Sequence, residues 1–290
     1  MRQPTVGLLH PGEMGAAVGG CLAGRGLRVL WASAGRSAAS AGRAAAAGLH
    51  DGGDPGQLAS QADVILSVCP PHAAVDVARA AAGFGGVYVD ANAVSPATAR
   101  EIASIAEAGG ASFVDGGIIG SPPHVPGDAR LYLSGQRAAE IAALFTGTPL
   151  DARVIGDDPG AASAVKMAYA AWTKGTAALL LAVRALASAE GVEEALLAEW
   201  QQSQPALTAR SHAAARSAAE KGWRWVAEME EIAAAMAADG LPDGFHQAAA
   251  GIFARVRRAA PESLDESATA TVIGGLLAGD PADRHGQAAQ

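Results

Sequence analysis

Short apolar runs alternate with helical segments through the first half of the chain. Thr5–Leu9, Leu27–Ala32, Val64–Val68 and Gly86–Asp90 read as strands that lack polar alternation. Such runs mark parallel strands covered on both faces. Between them fall a helix at Met14–Gly24, a short polar helix ahead of Val64, and a helix at Pro96–Ala108. Ser112–Asp115, Arg130–Leu133 and the short Asp151–Ile155 read as later strands. Strands alternating with helices imply right-handed crossovers and a doubly wound α/β sheet.

The pattern changes at the turn-rich segment Gly156–Gly160. Beyond it the spacing is helical. Gly160 to Ala187 reads as one long Ala- and Leu-rich helix without proline, followed by helices at Glu193–Gln202, Pro205–Ala219, Trp223–Ala238 and Phe245–Ala259. Asp280–Gln290 is polar and is expected to fray. The division expected is therefore an α/β domain over 1–158 and an all-helical domain over 159–290. Trp223, Trp225, Met229 and Ile232 recur at helical spacing and read as core, and Glu228, Glu230 and Glu231 as a solvated face.

Composition narrows the function. Of the 290 residues 50% are hydrophobic but only 4% aromatic, and 36 are glycine, so the core is built from small side chains. A net charge of -8 argues against nucleic acid or a membrane surface as partner, since both need a basic face. The first apolar run is too short for a signal peptide, and no run of about 20 apolar residues offers a span. Cys21 and Cys69 are too few and too far apart for a disulfide framework or a metal site. A reduced, cytoplasmic protein acting on a small molecule is expected.

The first strand runs into Val6-Gly7-Leu8-Leu9-His10-Pro11-Gly12-Glu13-Met14-Gly15, which opens a helix. A dinucleotide-binding turn needs glycine for a tight bend and for backbone approach to a pyrophosphate, and the helix N-terminus then supplies N–H groups. Of the three positions in G-x-G-x-x-G, His10 takes the first, and Gly12 and Gly15 fill the others. Alone this is an ordinary strand–helix turn; its place at the start of an alternating sheet favours a nucleotide. His10, Pro11, Gly12, Glu13 and Met14 are thus candidate cofactor contacts. An NAD site usually carries an acid about 20 residues on, at the end of the second strand. The segment Leu27–Leu49 holds none. It offers Ser33, Arg36 and Ser37, with Arg43 beyond, and these suit a 2′-phosphate, which points to NADP (NADPH) as cofactor.

With these residues in view, the chain resembles the β-hydroxyacid dehydrogenase superfamily, which includes 6-phosphogluconate dehydrogenase, 3-hydroxyisobutyrate dehydrogenase and the imine reductases. The resemblance covers most of the chain. It rests on the His10–Gly15 turn, Val64–Pro71, Asp90–Pro96, Asp115–Pro122, and Lys166 on the long helix. The His-Pro-Gly turn, Lys166–Gly175 and Trp223–Ile232 look closest to a phosphogluconate dehydrogenase-like branch. The resemblance implies a Rossmann domain, a long hinge helix and a helical substrate domain, in a homodimer with interleaved helical domains.

It also implies a lysine on the long helix as general acid/base, and Lys166 matches that position. A lysine in an enclosed cleft has its pKa lowered toward neutrality, so it both gives and takes a proton. Helical spacing brings Tyr169 and Lys174 to the same stripe, Tyr169 as a second proton donor and Lys174 as a substrate anchor. Cys69, Pro70 and Asn92 end strands at the expected cofactor edge. Ser95, Ser121 and His124 are further substrate candidates, although Ser95-Pro96 is also an ordinary helix start. Arg210, Arg224 and His246 offer a grip on a substrate carboxylate. Two positions depart from the superfamily pattern: Ala170 stands where an asparagine is usual, and Ile119 where a serine is usual. These readings lead to an NADP-dependent oxidoreductase of small hydroxy acids or their carbonyl partners. The alternatives are an imine reductase and an NADP-binding protein without catalysis.

Overall fold

The computed structural model describes residues 3–259 and 268–278. By packing the chain divides into two compact units after Tyr169. The first is built on strands β1 (Val6–Leu8), β2 (Val29–Trp31), β3 (His50–Asp51), β4 (Val64–Ser67), β5 (Val87–Asp90), β6 (Ser112–Gly120), β7 (Ala129–Ser134) and β8 (Leu150–Gly156). They form one sheet in the order β3-β2-β1-β4-β5-β6-β7-β8. Pairing is parallel from β3 to β6, antiparallel between β6 and β7, and parallel again to β8. The connections carry α1 (Glu13–Gly24), α2 (Ala38–Ala46), α3 (Pro55–Ala59), α4 (Ala74–Ala80), α5 (Pro96–Ala108) and α6 (Ala138–Leu144).

Successive strand residues point to opposite faces, so each apolar run feeds two cores at once. Val29 and Trp31, Val64 and Leu66, and Val87 and Val89 join one cluster with Val18 and Leu22 of α1. Leu30, Ile65 and Tyr88 join the other with Ile102 of α5. This double burial is why the sequence shows no alternation there.

Two strands differ from expectation. β6 continues five residues past Asp115, through a glycine-rich stretch that reads as a loop, because β7 pairs with it from Ser134 back to Ala129. β3 is only two residues long and polar, and it owes its strand character to β2.

The long helix α7 (Ala161–Ala189) contains the division between the units. Its first turns go with the sheet, since the backbone N–H of Gly160 and of Ser163 bonds the Asp115 carboxylate. The packing boundary accordingly falls nine residues beyond the turn-rich segment, after Tyr169.

The second unit holds the rest of α7 with α8 (Glu193–Ser203), α9 (Ala206–Lys221), α10 (Trp225–Ala238), α11 (Gly244–Arg255) and α12 (Ala268–Ala278). A 3-10 turn at Gly222–Arg224 leads into α10. The sequence pattern gives no sign of α12, whose Ala-Thr-Ala-Thr-Val-Ile-Gly-Gly-Leu-Leu-Ala run lacks amphipathic contrast. Met229, Ile232 and Phe253 are buried, and Trp225 stands edge-on to Phe253 at 5.0 Å. Buried Arg184 bonds Glu193 through Nε at 2.8 Å and Ser211 Oγ through Nη1 at 2.8 Å. Two expectations are corrected here. Glu228 is buried and paired with Lys174, not solvated. Trp223 is exposed, with the Arg224 and Arg258 guanidinium groups 5.0 and 5.4 Å from its ring centre, and is not core. The expected fraying of Asp280–Gln290 concerns a segment outside the described residues. Among the described residues no helix is long and apolar enough to cross a membrane.

Candidate active site

β1 ends at Leu8, the chain bends through His10-Pro11-Gly12, and α1 begins at Glu13. A Cβ on Gly15 would lie 2.1 Å from the His10 carbonyl oxygen, so only glycine lets the bend close against the first helical turn. Gly12 is the N-cap residue, with extended backbone and no side-chain cap on α1. A Cβ there would meet nothing within 4 Å. The space on the Cβ side of Gly12 is thus open at the start of α1, where a helix N-terminus can receive a dinucleotide pyrophosphate. Glu13 is exposed at this rim, whereas Met14 packs partly against the sheet core. Burial and the neighbouring Arg36 bring the His10 pKa down to about 4, so the imidazole is neutral at neutral pH.

Two guanidinium groups brace the bend. Arg36 Nη2 donates to the Leu9 carbonyl at 3.2 Å and stands 3.5 Å from His10 Nδ1. Arg43 Nε donates to the Pro11 carbonyl at 3.0 Å. Ser37 is the N-cap of α2 and accepts from Ser40 N at 3.3 Å. Ser33 Oγ donates to Asp51 Oδ1 at 2.5 Å. An acid therefore does stand at the end of β2, supplied by the next strand rather than by β2 itself.

At the ends of β4 and β5, Asn92 is 2% exposed and bonded on every side. Its Oδ1 accepts from Cys69 N at 2.5 Å, and its Nδ2 donates to Ser67 Oγ at 3.0 Å and Asp90 Oδ1 at 2.5 Å. Both amide hydrogens are committed, so Asn92 locks two strand ends together instead of offering them to a nicotinamide. Burial, helped by Asp90, pushes the Cys69 thiol up to about 12 and keeps it protonated. Pro70 is exposed next to it. Ser95 is buried as the N-cap of α5, accepting from Thr98 N at 3.2 Å, so it serves the helix rather than a substrate.

The lysine helix has a built seat. Asp115 is wholly buried and accepts from Gly160 N at 3.0 Å, Ser163 N at 2.9 Å, Ser163 Oγ at 2.7 Å and Ser134 Oγ at 3.3 Å. It acts as the N-terminal cap of α7 from a neighbouring strand. A Cβ on Gly117 would lie 2.7 Å from the Ala162 carbonyl oxygen and 3.0 Å from Lys166 Cβ, so glycine is what lets α7 sit this close to β6. The Asp115–Gly120 stretch, part of the motif that carries the resemblance, is mainly this strand-borne seat. Lys166 is half-buried, and that burial brings its pKa down to about 8. Tyr169, one turn on, is exposed. Asp90 pairs with Asp115 in the sheet register, and burial together with that neighbour pushes its carboxyl up to about 8.

The remaining candidates lie elsewhere. Ser121 is exposed past β6, its N–H bonded to the Asp128 carbonyl at 3.1 Å. His124, in the same loop, helps line a cavity of about 770 Å³ with Ala16, Gly20, Cys21, Arg43 and Thr148, and Lys166 is not among its walls. Lys174 belongs to the second unit, where Nζ pairs with the Glu228 carboxylate and lies 5.6 Å from the Trp225 ring centre. Asp51, Asp90, Asp115 and Ser163 were missed as site residues. A signal existed for two of them, since the runs Val87–Asp90 and Ser112–Asp115 both close on Val-Asp.

Comparison with known proteins agrees with this fold. Residues 5–143 match the NAD binding domain of 6-phosphogluconate dehydrogenase, and residues 187–256 match a domain of unknown function, DUF1932. These two matches agree with the resemblance to the β-hydroxyacid dehydrogenase superfamily. A solved protein of unknown function, described as structurally similar to 3-hydroxyacid dehydrogenases, is 29% identical with a TM-score of 0.65, covering 86% of this chain and 96% of its own. An uncharacterized 28.5 kDa protein of Methanothermus fervidus is 34% identical over 142 residues, 48% of this chain. The match spans about half of that relative, 54% of its length. A reductive aminase from Aspergillus terreus, solved with NADPH, shares the fold at 22% identity and a TM-score of 0.56, covering 88% of this chain and 93% of its own.

Proposed function

We propose that the chain is an NADP(H)-dependent oxidoreductase acting on a small hydroxy acid or its carbonyl partner, with Lys166 as the general acid/base. One observation carries the reading: a half-buried lysine with its pKa near 8 is pinned by Asp115 and Gly117 to the sheet that bears the nucleotide turn. The α1 N-terminus, with Gly12 and Gly15, would hold the pyrophosphate, and Ser33, Arg36 and Arg43 would meet the adenosine end. The bound nicotinamide supplies or accepts a hydride. Lys166 in its neutral form takes the proton from the substrate hydroxyl; in its charged form it gives one to the carbonyl oxygen. Burial lets one side chain serve both directions, because the two forms are close in free energy near pH 8. Ala170 and Ile119 are both buried and apolar, which favours a substrate held by few polar groups.

The test is Lys166→Ala with NADP(H) and a panel of 3-hydroxy acids and their oxo partners. A loss of roughly 10²–10⁴-fold in kcat with unchanged cofactor affinity is expected. Full turnover by the variant would reject the role of Lys166. In the wild type, oxidation should rise through about pH 8 as Lys166 loses its proton, and reduction should fall over the same range. The second reading, imine reduction, draws on the same apolar positions. Turnover of cyclic imines with NADPH, in the absence of hydroxy-acid turnover, would favour it.

For assembly we propose a homodimer through α7. Trp172, Leu179 and Leu186 recur every seven residues and are 66%, 49% and 64% exposed in the single chain. That spacing makes one stripe along the helix, which a second copy would cover. A light-scattering mass near twice 28.8 kDa is expected, and a monomer at micromolar concentration would reject it.

A further inference from the structure

The end of β2 and the end of β3 form one fused ledge. Trp31 pairs with Asp51 in the parallel register. Gly52 N donates to the Trp31 carbonyl at 3.0 Å, and Ser33 N and Ala34 N both donate to the Gly53 carbonyl, at 2.8 and 3.2 Å. Asp51 Oδ1 takes Ser33 Oγ at 2.5 Å and Gly53 N at 2.8 Å. Both bonds go to a single oxygen of an exposed carboxylate. The Ser33 hydroxyl and the Gly53 N–H hold that carboxyl below the usual carboxylate range, so it is ionised at neutral pH.

Resting on the reading of this edge as a nicotinamide dinucleotide site, we propose that Asp51 is a specificity-determining residue, one that limits the preference of the site for a phosphorylated over an unphosphorylated cofactor. Three facts converge. The position at the end of β2 that would meet the ribose 2′ group is filled by Ser33, whose hydroxyl proton is already committed to Asp51. A ribose 2′-hydroxyl is a donor, and a carboxylate accepts from it; a 2′-phosphate is an anion, and the same carboxylate repels it. The opposing groups, Arg36 and Arg43, spend part of their donor capacity on the carbonyls of Leu9 and Pro11. One acid therefore works against two partly engaged arginines. The preference for the phosphorylated dinucleotide is thereby limited, and its size is set by Asp51 as much as by the arginines.

The experiment titrates NADPH and NADH separately into the wild type, Asp51→Asn and Asp51→Glu, following binding by calorimetry. Asp51→Asn should raise the ratio of the NADH to the NADPH dissociation constant about tenfold, chiefly by tightening NADPH, and the gain should shrink in high salt. Asp51→Glu keeps the carboxylate and should leave the ratio within about twofold of wild type. An unchanged ratio in Asp51→Asn, checked with Asp51→Ser against local disturbance of the loop, overturns the proposal. So does a shift in Asp51→Glu as large as that in Asp51→Asn, because the charge would then not be responsible. Binding of neither dinucleotide to the wild type overturns the underlying reading as well, and is seen before any variant is made.

Discussion

Two aspartates, each bonded to a serine, stand along the same sheet in opposite surroundings. Asp51 closes β3 in the open and takes one hydroxyl and one N–H. Asp115 sits in β6 under α7 and takes two hydroxyls and two N–H groups. The same bonding has opposite electrostatic outcomes. At Asp51 the Ser33 and Gly53 bonds dominate and the carboxyl is held low. At Asp115 burial dominates and the carboxyl is pushed up despite its four donors. The exposed acid is available to a ligand, while the buried one is consumed in holding a helix. Residue type and partners alone do not separate a ligand-facing acid from an architectural one; solvent does.

The largest effect that would sharpen this contrast is the loss of Asp115. Asp115→Ala strands the Gly160 and Ser163 N–H groups in the interior, and stability should fall by about 3 kcal/mol, read by urea unfolding. Asp115→Asn keeps one acceptor oxygen and should cost less than half of that. A negligible cost for Asp115→Ala would mean that the carboxylate is not what seats the helix.

Next is Gly117→Ala. Its Cβ would meet the Ala162 carbonyl and Lys166 Cβ, so α7 must shift outward at the Lys166 turn. A stability cost of about 1–3 kcal/mol is expected from overpacking. More informative is the pH profile. A displaced Lys166 gains solvent, its pKa rises from about 8 toward the ordinary lysine value, and the oxidation limb moves to higher pH. Simple destabilisation would leave that limb in place, so an unmoved profile would separate the seat from the chemistry.

Legibility in the sequence follows the same line between local and assembled features. The α5 helix was readable to the residue, Pro96–Ala108, because its cap and its apolar spacing are both local. The glycine turn was readable for the same reason. β3 was not, since two polar residues become a strand only through β2. Asp51 was missed because the expected acid was sought along β2, whereas sheet pairing delivers it from the neighbouring strand. Asn92 was misplaced because strand ends converge on ligands, and nothing local reveals that Ser67, Cys69 and Asp90 would take up its amide. Lys174 and Glu228, 54 positions apart, meet only through the packing of α7 on α10.

The smallest effect completes the contrast. Asp51→Asn should leave the melting temperature unchanged within measurement, although it removes a carboxylate bonded to Ser33 and Gly53. Its amide oxygen can still accept from both, and the charge it loses was already solvated, so folding gains and loses little. The same substitution is expected to move cofactor preference about tenfold. A variant silent in melting and audible in the NADH-to-NADPH ratio behaves as a ligand-facing group. If instead Asp51→Asn lowered the melting temperature as far as Asp115→Asn does, the β2–β3 ledge would be architecture like the helix seat, and burial would not be what divides the two aspartates.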